Sequence, residues 1–194
     1  MEHRTLLFTE HGSHLYGLNH ADSDKDSYRV YLDHSRHSRA LQTMEGQDDI
    51  FQINLTAFIR QVAKGTPQSL EALYSPIAER DAEYESFLLG MRPGRLQMLS
   101  TYRRTMKNFL FGGEREEDTD DFHHEPEASF KRRRHGFRYM LNLSEALRNN
   151  GVFNPRMSEA DKEWATAQAN DLSAGYGERA LNMVAHAMRG HYLY

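Results

Sequence analysis

Apolar positions come in short strand-like runs over the first fifty or so residues and then switch to helical spacing. Thr5-Leu6-Leu7-Phe8-Thr9 reads as a short buried strand, and Ser27-Tyr28-Arg29-Val30-Tyr31-Leu32 as a second, rich in aromatic and β-branched residues. The connection from His11 to Asp26 is too long for a tight hairpin and too rich in Gly and polar residues for a core, so it predicts a loop with room for one helical turn. After a polar stretch of His, Ser and Arg, the alternation in Asp49-Ile50-Phe51-Gln52-Ile53-Asn54 predicts a third strand. Then the period changes. Leu55, Phe58, Ile59 and Val62 recur at helical spacing, and Gly65-Thr66-Pro67 ends that helix and opens another carrying Leu70, Leu73 and Tyr74.

Beyond Pro76 no strand is expected, and helices are predicted around 79–89, 94–111, 128–149, 158–173 and 177–189. Gly112 to Pro126 carries Glu114, Glu116, Glu117, Asp118, Asp120 and Asp121 with few apolar residues, which predicts a surface loop. The expected fold class is therefore α/β of the α+β kind. A small mixed sheet over residues 1–76 is followed by a helical module over 77–194, interrupted by the acidic loop at 112–126.

Composition narrows the chemistry. With 194 residues, 39% hydrophobic and 27% charged, the chain can bury a core. No apolar run approaches the roughly 18 residues of a membrane span, and Met1-Glu2-His3-Arg4-Thr5 lacks the layout of a signal peptide, so a soluble, cytoplasmic protein is expected. The absence of cysteine excludes disulfides, thiolate zinc sites and thiol catalysis, leaving oxygen or imidazole to hold any metal. A formal charge of −4 argues against coating nucleic acid by bulk electrostatics but leaves room for a local basic patch.

The densest chemical signal is Gly12-Ser13-His14-Leu15-Tyr16-Gly17 followed by Asp22-Ser23-Asp24-Lys25-Asp26 at the start of the second strand. Alternate strand residues point to one side, so Asp24 and Asp26 are expected to present both carboxylates to one site. Two carboxylates about 4 Å apart repel by roughly 4 kcal/mol at an effective dielectric of 20, so such a pair calls for a cation or a shared proton. Mg²⁺ (or Mn²⁺) suits them, as a hard ion that completes its octahedron with water and substrate phosphate. Gly12 lets the backbone approach a ligand, and the amides and hydroxyl at Ser13 can donate to phosphate oxygens. A phosphate cradle beside a metal pair implies phosphoryl or nucleotidyl transfer, which usually wants a third carboxylate from a neighbouring strand. Asp49 is the candidate, with Asp48 beside it as the alternative.

The pattern Gly-Ser-x-x-Tyr-Gly, five residues, then Ser-Asp-x-Asp resembles the signature of the polymerase β nucleotidyltransferase superfamily, and one branch of it in particular, the RNA-repair-pathway DNA polymerase β family. The likeness continues through Phe58 to Pro67, similar to the family's helix and Gly-Asn-Pro turn, and through Leu70-Glu71-Ala72-Leu73-Tyr74. Further on, Lys131, His135 and Arg138 are similar to its Lys-x-x-x-His-x-x-Arg segment, with Glu145, Leu147 and Gly151 following in similar places. Two departures stand out: Thr66 replaces the family's Asn, and Ser27-Tyr28-Arg29-Val30 replaces a Gly-Val ending after the aspartates. The resemblance implies a metal and catalytic-base role for Asp24, Asp26 and Asp49, and nucleotide-phosphate binding by Lys131, His135 and Arg138. Spacing agrees with the latter, because i, i+4 and i+7 make one polar stripe, with Phe130, Phe137 and Leu141 free to face a core. Arg132, Arg133, Arg134 and, on the preceding helix, Arg103, Arg104 and Lys107 add positive charge for a triphosphate or an RNA backbone.

Ordinary explanations compete at several positions. Glu71 reads as a structural cap or ion-pair partner, Trp164 as core, and His11, His14, His20, His34, His37 and His123-His124 fit no tight zinc pattern. The function expected is a metal-dependent nucleotidyltransferase that moves a nucleoside monophosphate from an NTP to a hydroxyl, an RNA or DNA end being one acceptor class, with release of pyrophosphate. A catalytically silent nucleotide-binding module of the same fold is the alternative. A metal-dependent phosphohydrolase would want a paired His-Asp motif that the chain lacks.

Overall fold

The computed structural model describes residues 3–19, 23–33, 37, 39–45, 48–111 and 126–173. Its three central strands are the three expected from the sequence: β1 (Arg4–His11), β2 (Asp26–Leu32) and β4 (Asp48–Asn54). An edge strand, β3 (Ala40–Glu45), and a two-residue strand, β5 (Glu79–Arg80), complete a mixed sheet in the order β3-β4-β2-β1-β5. β2 and β4 run parallel, while the other neighbours are antiparallel.

Both added strands correct the sequence expectation. β3 lies in the polar stretch because an edge strand needs no buried face, and its Leu41 remains 58% exposed. β5 lies beyond Pro76, where only helix was expected; Asp81 N–H bonds the Leu6 carbonyl, and the Asp81 carboxylate takes two hydrogen bonds of 2.7 Å from Arg4. These contacts hold the segment to the sheet edge, so the helix expected over 79–89 shrinks to α4 (Glu85–Gly90).

The helices pack on one face of the sheet. α1 (Gly12–Tyr16) follows β1 directly, and α2 (Leu55–Ala63) follows β4, started by the Asn54 side chain accepting the Ala57 N–H at 2.9 Å. α3 (Pro67–Tyr74) opens on proline at its first position, where no N–H is needed. Three longer helices follow: α5 (Arg95–Phe111), α6 (Pro126–Arg148) and α7 (Glu159–Ser173). Leu7, Tyr28, Val30 and Ile53 of the sheet pack with Phe58, Leu70, Met98, Tyr102, Tyr139 and Phe153 in one apolar cluster, so α5 and α6 share the sheet's core. A second cluster, with Leu110, Phe137, Ala165 and Leu172 at its centre and Trp164 against it, fixes α7 to α6. Among the described residues no helix is long and apolar enough to cross a membrane. The helix expected over 177–189 and positions 112–125 of the acidic loop lie outside the described residues.

Candidate active site

The loop between β1 and β2 contains the helical turn for which the sequence left room. α1 begins at Gly12, which has φ +62°, and ends at Gly17, which takes φ +70° as a left-handed cap and gives its N–H to the His14 carbonyl. Both glycines of the motif thus occupy backbone conformations that cost an L-residue about 1–2 kcal/mol. Gly12 has a second reason to be glycine: a Cβ there would lie 2.2 Å from Oδ2 of Asp26. The absence of a side chain at residue 12 is what lets the Asp26 carboxylate lie against the turn that starts α1.

Strand register brings the carboxylates together. His11 pairs with Asp26 across β1 and β2, and Ser27 pairs with Ile50 across β2 and β4, which sets Asp26 beside Asp49 one step earlier on the same face. Asp24 sits two residues before Asp26 in the exposed approach to β2. Partial burial raises the Asp26 carboxyl above its ordinary range. His11 works against that rise, Asp49 and Asp24 add to it, and Lys131 of α6 opposes it. Three predicted carboxylates and a predicted cation therefore act on one another across three elements.

Asp49 carries a further mark. Its Oδ2 accepts from Gln42 at 3.2 Å, whereas its Oδ1 is buried with no hydrogen-bond partner. A buried carboxylate oxygen without a partner is costly unless a cation or proton meets it. Among the described residues, no three His, Asp or Glu side chains converge tightly enough to enclose an ion by themselves. The donor set fits a hard divalent ion of the Mg²⁺ type, which binds through one or two carboxylates and takes its remaining ligands from water and substrate phosphate; it does not fit an all-protein cage.

Beside these carboxylates lies a cavity of about 290 Å³, lined by Ser13, Leu18, Ser23, Phe130, Lys131, Arg134 and His135. It brings Ser13 of the Gly-Ser turn together with Lys131 and His135, more than a hundred residues later. Phe130 packs against the second core cluster, as expected, and also lines this cavity, and the Arg134 guanidinium stands 5.8 Å from its ring centre. An apolar ring and two cations give the cavity one surface for a base and another for phosphates. Spacing had marked the lysine and histidine, and Phe130 meets the core on one side and the cavity on the other.

Arg138 is the third member of the expected stripe, and the structure places it elsewhere. It is 1% exposed, pairs through Nη1 with Oε1 of Glu71, and lies between the rings of Tyr16 at 3.5 Å and Tyr139 at 4.2 Å. Burial works against its charge, but Glu71 and the surrounding hydroxyls outweigh burial and hold it protonated. Glu71, itself fully buried, also accepts from Tyr16 Oη at 2.7 Å and Asn142 Nδ2 at 3.2 Å. In this arrangement the guanidinium does not line the cavity, because its partners are all inside the protein. The structural reading of Glu71 and the interior place of Arg138 are thus one feature, linking α1, α3 and α6. Arg103, Arg104 and Lys107 lie exposed on α5, outside the cavity lining.

His11 and His135 complete the surroundings. His11 is held edge-on between Tyr16 and Tyr28, and burial lowers its basicity, with Glu71 and Asp26 opposing that effect and Arg138 adding to it. His135 is pushed down to about 3 by burial first and then by Arg138, Arg134 and Lys131, so its imidazole is neutral at physiological pH.

A sequence profile of the RNA repair pathway DNA polymerase beta family matches residues 1–174. The chain belongs to that family. The match spans the Gly-Ser turn, the aspartates, the cavity face of α6 and all of α7, and stops short of the last twenty residues. No individual curated protein matches the chain. Membership of the RNA repair pathway DNA polymerase beta family marks the protein as a polymerase-β-type nucleotidyltransferase, and the mixed sheet with helices on one face is consistent with that fold.

Proposed function

We propose that the protein transfers a nucleoside monophosphate from an NTP to a hydroxyl at a nucleic-acid end, an RNA end first, and releases pyrophosphate. The observation that carries the reading is the convergence of Ser13, Lys131 and His135 on one cavity beside Asp26, whose carboxyl both Asp49 and Asp24 push up. Asp24 and Asp26 would hold Mg²⁺ or Mn²⁺, with Asp49 completing the set. When bound, the cation would offset the negative charge of the phosphates and of the reacting oxygens. Ser13, through its amide and hydroxyl, and Lys131 bind the β- and γ-phosphates, while Phe130 offers a face to the base. The partnerless Oδ1 of Asp49 receives the proton of the attacking hydroxyl as its oxygen bonds to the α-phosphorus and the bond to pyrophosphate breaks. Gly12 and the Glu71–Arg138 pair keep the carboxylate side and the phosphate side in register.

A second reading is nucleotide binding without turnover, and it is favoured by Ser27-Tyr28-Arg29-Val30 standing in place of the family's Gly-Val ending after the aspartates. The deciding experiment incubates the protein with each α-labelled NTP, Mg²⁺ or Mn²⁺, and mixed RNA and DNA ends, beside Asp24→Asn and Asp26→Asn. Label moving to an acceptor with wild type alone supports transfer and identifies the acceptor. Retained NTP binding without transfer to any end supports the silent module, and transfer undiminished in Asp24→Asn removes that residue from the metal site.

A further inference from the structure

Resting on the nucleotide-cavity reading above, we infer that Glu71 and Arg138 act through His135, fixing its imidazole as an uncharged Nε2–H donor to a phosphate oxygen of the bound nucleotide.

One hydrogen bond sets the tautomer of His135. Arg138 Nε donates to His135 Nδ1 at 3.3 Å. A guanidinium N–H can only donate, so Nδ1 must carry its lone pair and the ring proton must reside on Nε2. The ring lines the cavity together with Ser13, Lys131 and Arg134. Arg138 is not free to release Nδ1. Two aromatic rings hold its plane, Glu71 holds its far side, and Glu71 is held in turn by Tyr16 and Asn142. The carboxylate–guanidinium–imidazole chain thus orients the histidine from behind, as a second set of contacts commonly fixes the tautomer of a functional imidazole.

The surroundings keep the ring neutral. From α6 it faces Lys131, Arg134 and Arg138, from α1 the edge of Tyr16 at 5.7 Å, and from α5 the ring of Phe109 at 6.3 Å, while Glu71 of α3 is paired with Arg138. Burial first, and then the three cations, make protonation unfavourable and push the imidazole down to about 3. The cavity therefore offers a triphosphate two fixed charges, from Lys131 and Arg134, and one directional neutral donor whose state does not change over the working pH range. Arg138, on the sequence pattern a phosphate ligand, becomes a positioning residue.

The test reads the ring directly. Side-chain ¹⁵N and ¹³C spectra of the histidine-labelled full chain, with His135 assigned by its loss in His135→Gln, are recorded from about pH 5 to 8 with and without inorganic pyrophosphate and Mg²⁺. The expected result is a single Nε2–H tautomer that does not titrate and whose Nε2 signal moves when pyrophosphate is added. An Nδ1–H tautomer, or a titration midpoint above about 5, overturns the inference. So does an Nε2 signal indifferent to pyrophosphate. The double variant Glu71→Gln with Arg138→Met leaves no uncompensated buried charge, so it can be examined folded. In it, His135 should sample both tautomers and titrate at higher pH, and the dissociation constant for an NTP should rise about tenfold or more, as for loss of a hydrogen bond to a charged group. His135→Ala should show the same rise and His135→Gln, which retains an amide N–H, much less. A double variant with the wild-type tautomer and affinity denies the positioning role. Because spectra and affinity are read without turnover, these outcomes are independent of whether label transfer succeeds.

Discussion

Replacing Gly12 by alanine tests the site's construction more sharply than removing a ligand, because it adds one methyl group and takes away nothing. Two costs arise from different sources. The backbone at φ +62° strains an L-residue by about 1–2 kcal/mol, which for a chain of this length lowers the melting temperature by roughly 2–8 °C. The new Cβ would also stand 2.2 Å from Asp26 Oδ2, whereas ordinary contact begins at 3.4 Å. Either the carboxylate or the turn must therefore retreat by about 1 Å, a displacement of the size that costs roughly 10²-fold in rate when reacting groups are aligned. The expected result is a folded protein with a modest loss in melting temperature and at least a hundredfold lower kcat/KM, measured by label transfer. Gly90→Ala is the control, since nothing lies within 4 Å of a Cβ there; its stability should change by no more than about 0.5 kcal/mol and its activity not at all. Gly12→Ala retaining more than half of wild-type kcat/KM would refute the idea that the empty space at residue 12 seats Asp26.

Asp26→Asn should stabilise the metal-free protein while abolishing transfer. A carboxyl whose folded value is raised binds its proton more tightly in the folded state, so its ionised form destabilises the fold above that value, and the penalty fades below the ordinary Asp range. Melting curves should therefore show the variant above wild type near pH 8, level with it near pH 3, and no longer stabilised by added Mg²⁺; a lower melting temperature near pH 8 would contradict the burial argument. Glu71→Ala leaves the Arg138 cation buried without its partner and should cost about 3–5 kcal/mol in chemical denaturation, so a loss under about 1 kcal/mol would mean that water or another group replaces the carboxylate. Lys131→Met should raise the KM for NTP about tenfold with a smaller change in kcat, since its charge meets the bound phosphates, and an unchanged KM would remove it from the cavity's binding face.

Short-range pattern alone determined much of this protein. Short apolar, β-branched or alternating runs located β1, β2 and β4, helical spacing located α2, α3, α5, α6 and α7, and the order of Gly12-Ser13, Tyr16-Gly17, Asp24 and Asp26 carried the family, because a positive-φ turn and two closely spaced carboxylates leave a local trace in residue type. β3 and β5 escaped that reading. An edge strand can be polar on both faces, and β5 exists only because β1 offers it an edge and Arg4 holds Asp81. The site's division of labour also required tertiary structure. Lys131, His135 and Arg138 share one helical stripe, yet a stripe states direction and not depth. Only the packing of Tyr16 and Glu71 against α6, with Tyr139 of that helix on the other side of the guanidinium, decided that Lys131 and His135 reach the cavity while Arg138 is enclosed behind them. Residue type and spacing are properties of a few consecutive positions and are legible along the chain. Burial, and with it the choice between a charge that binds a ligand and one that holds the protein together, depends on which distant elements pack against a residue, and that is set by the fold.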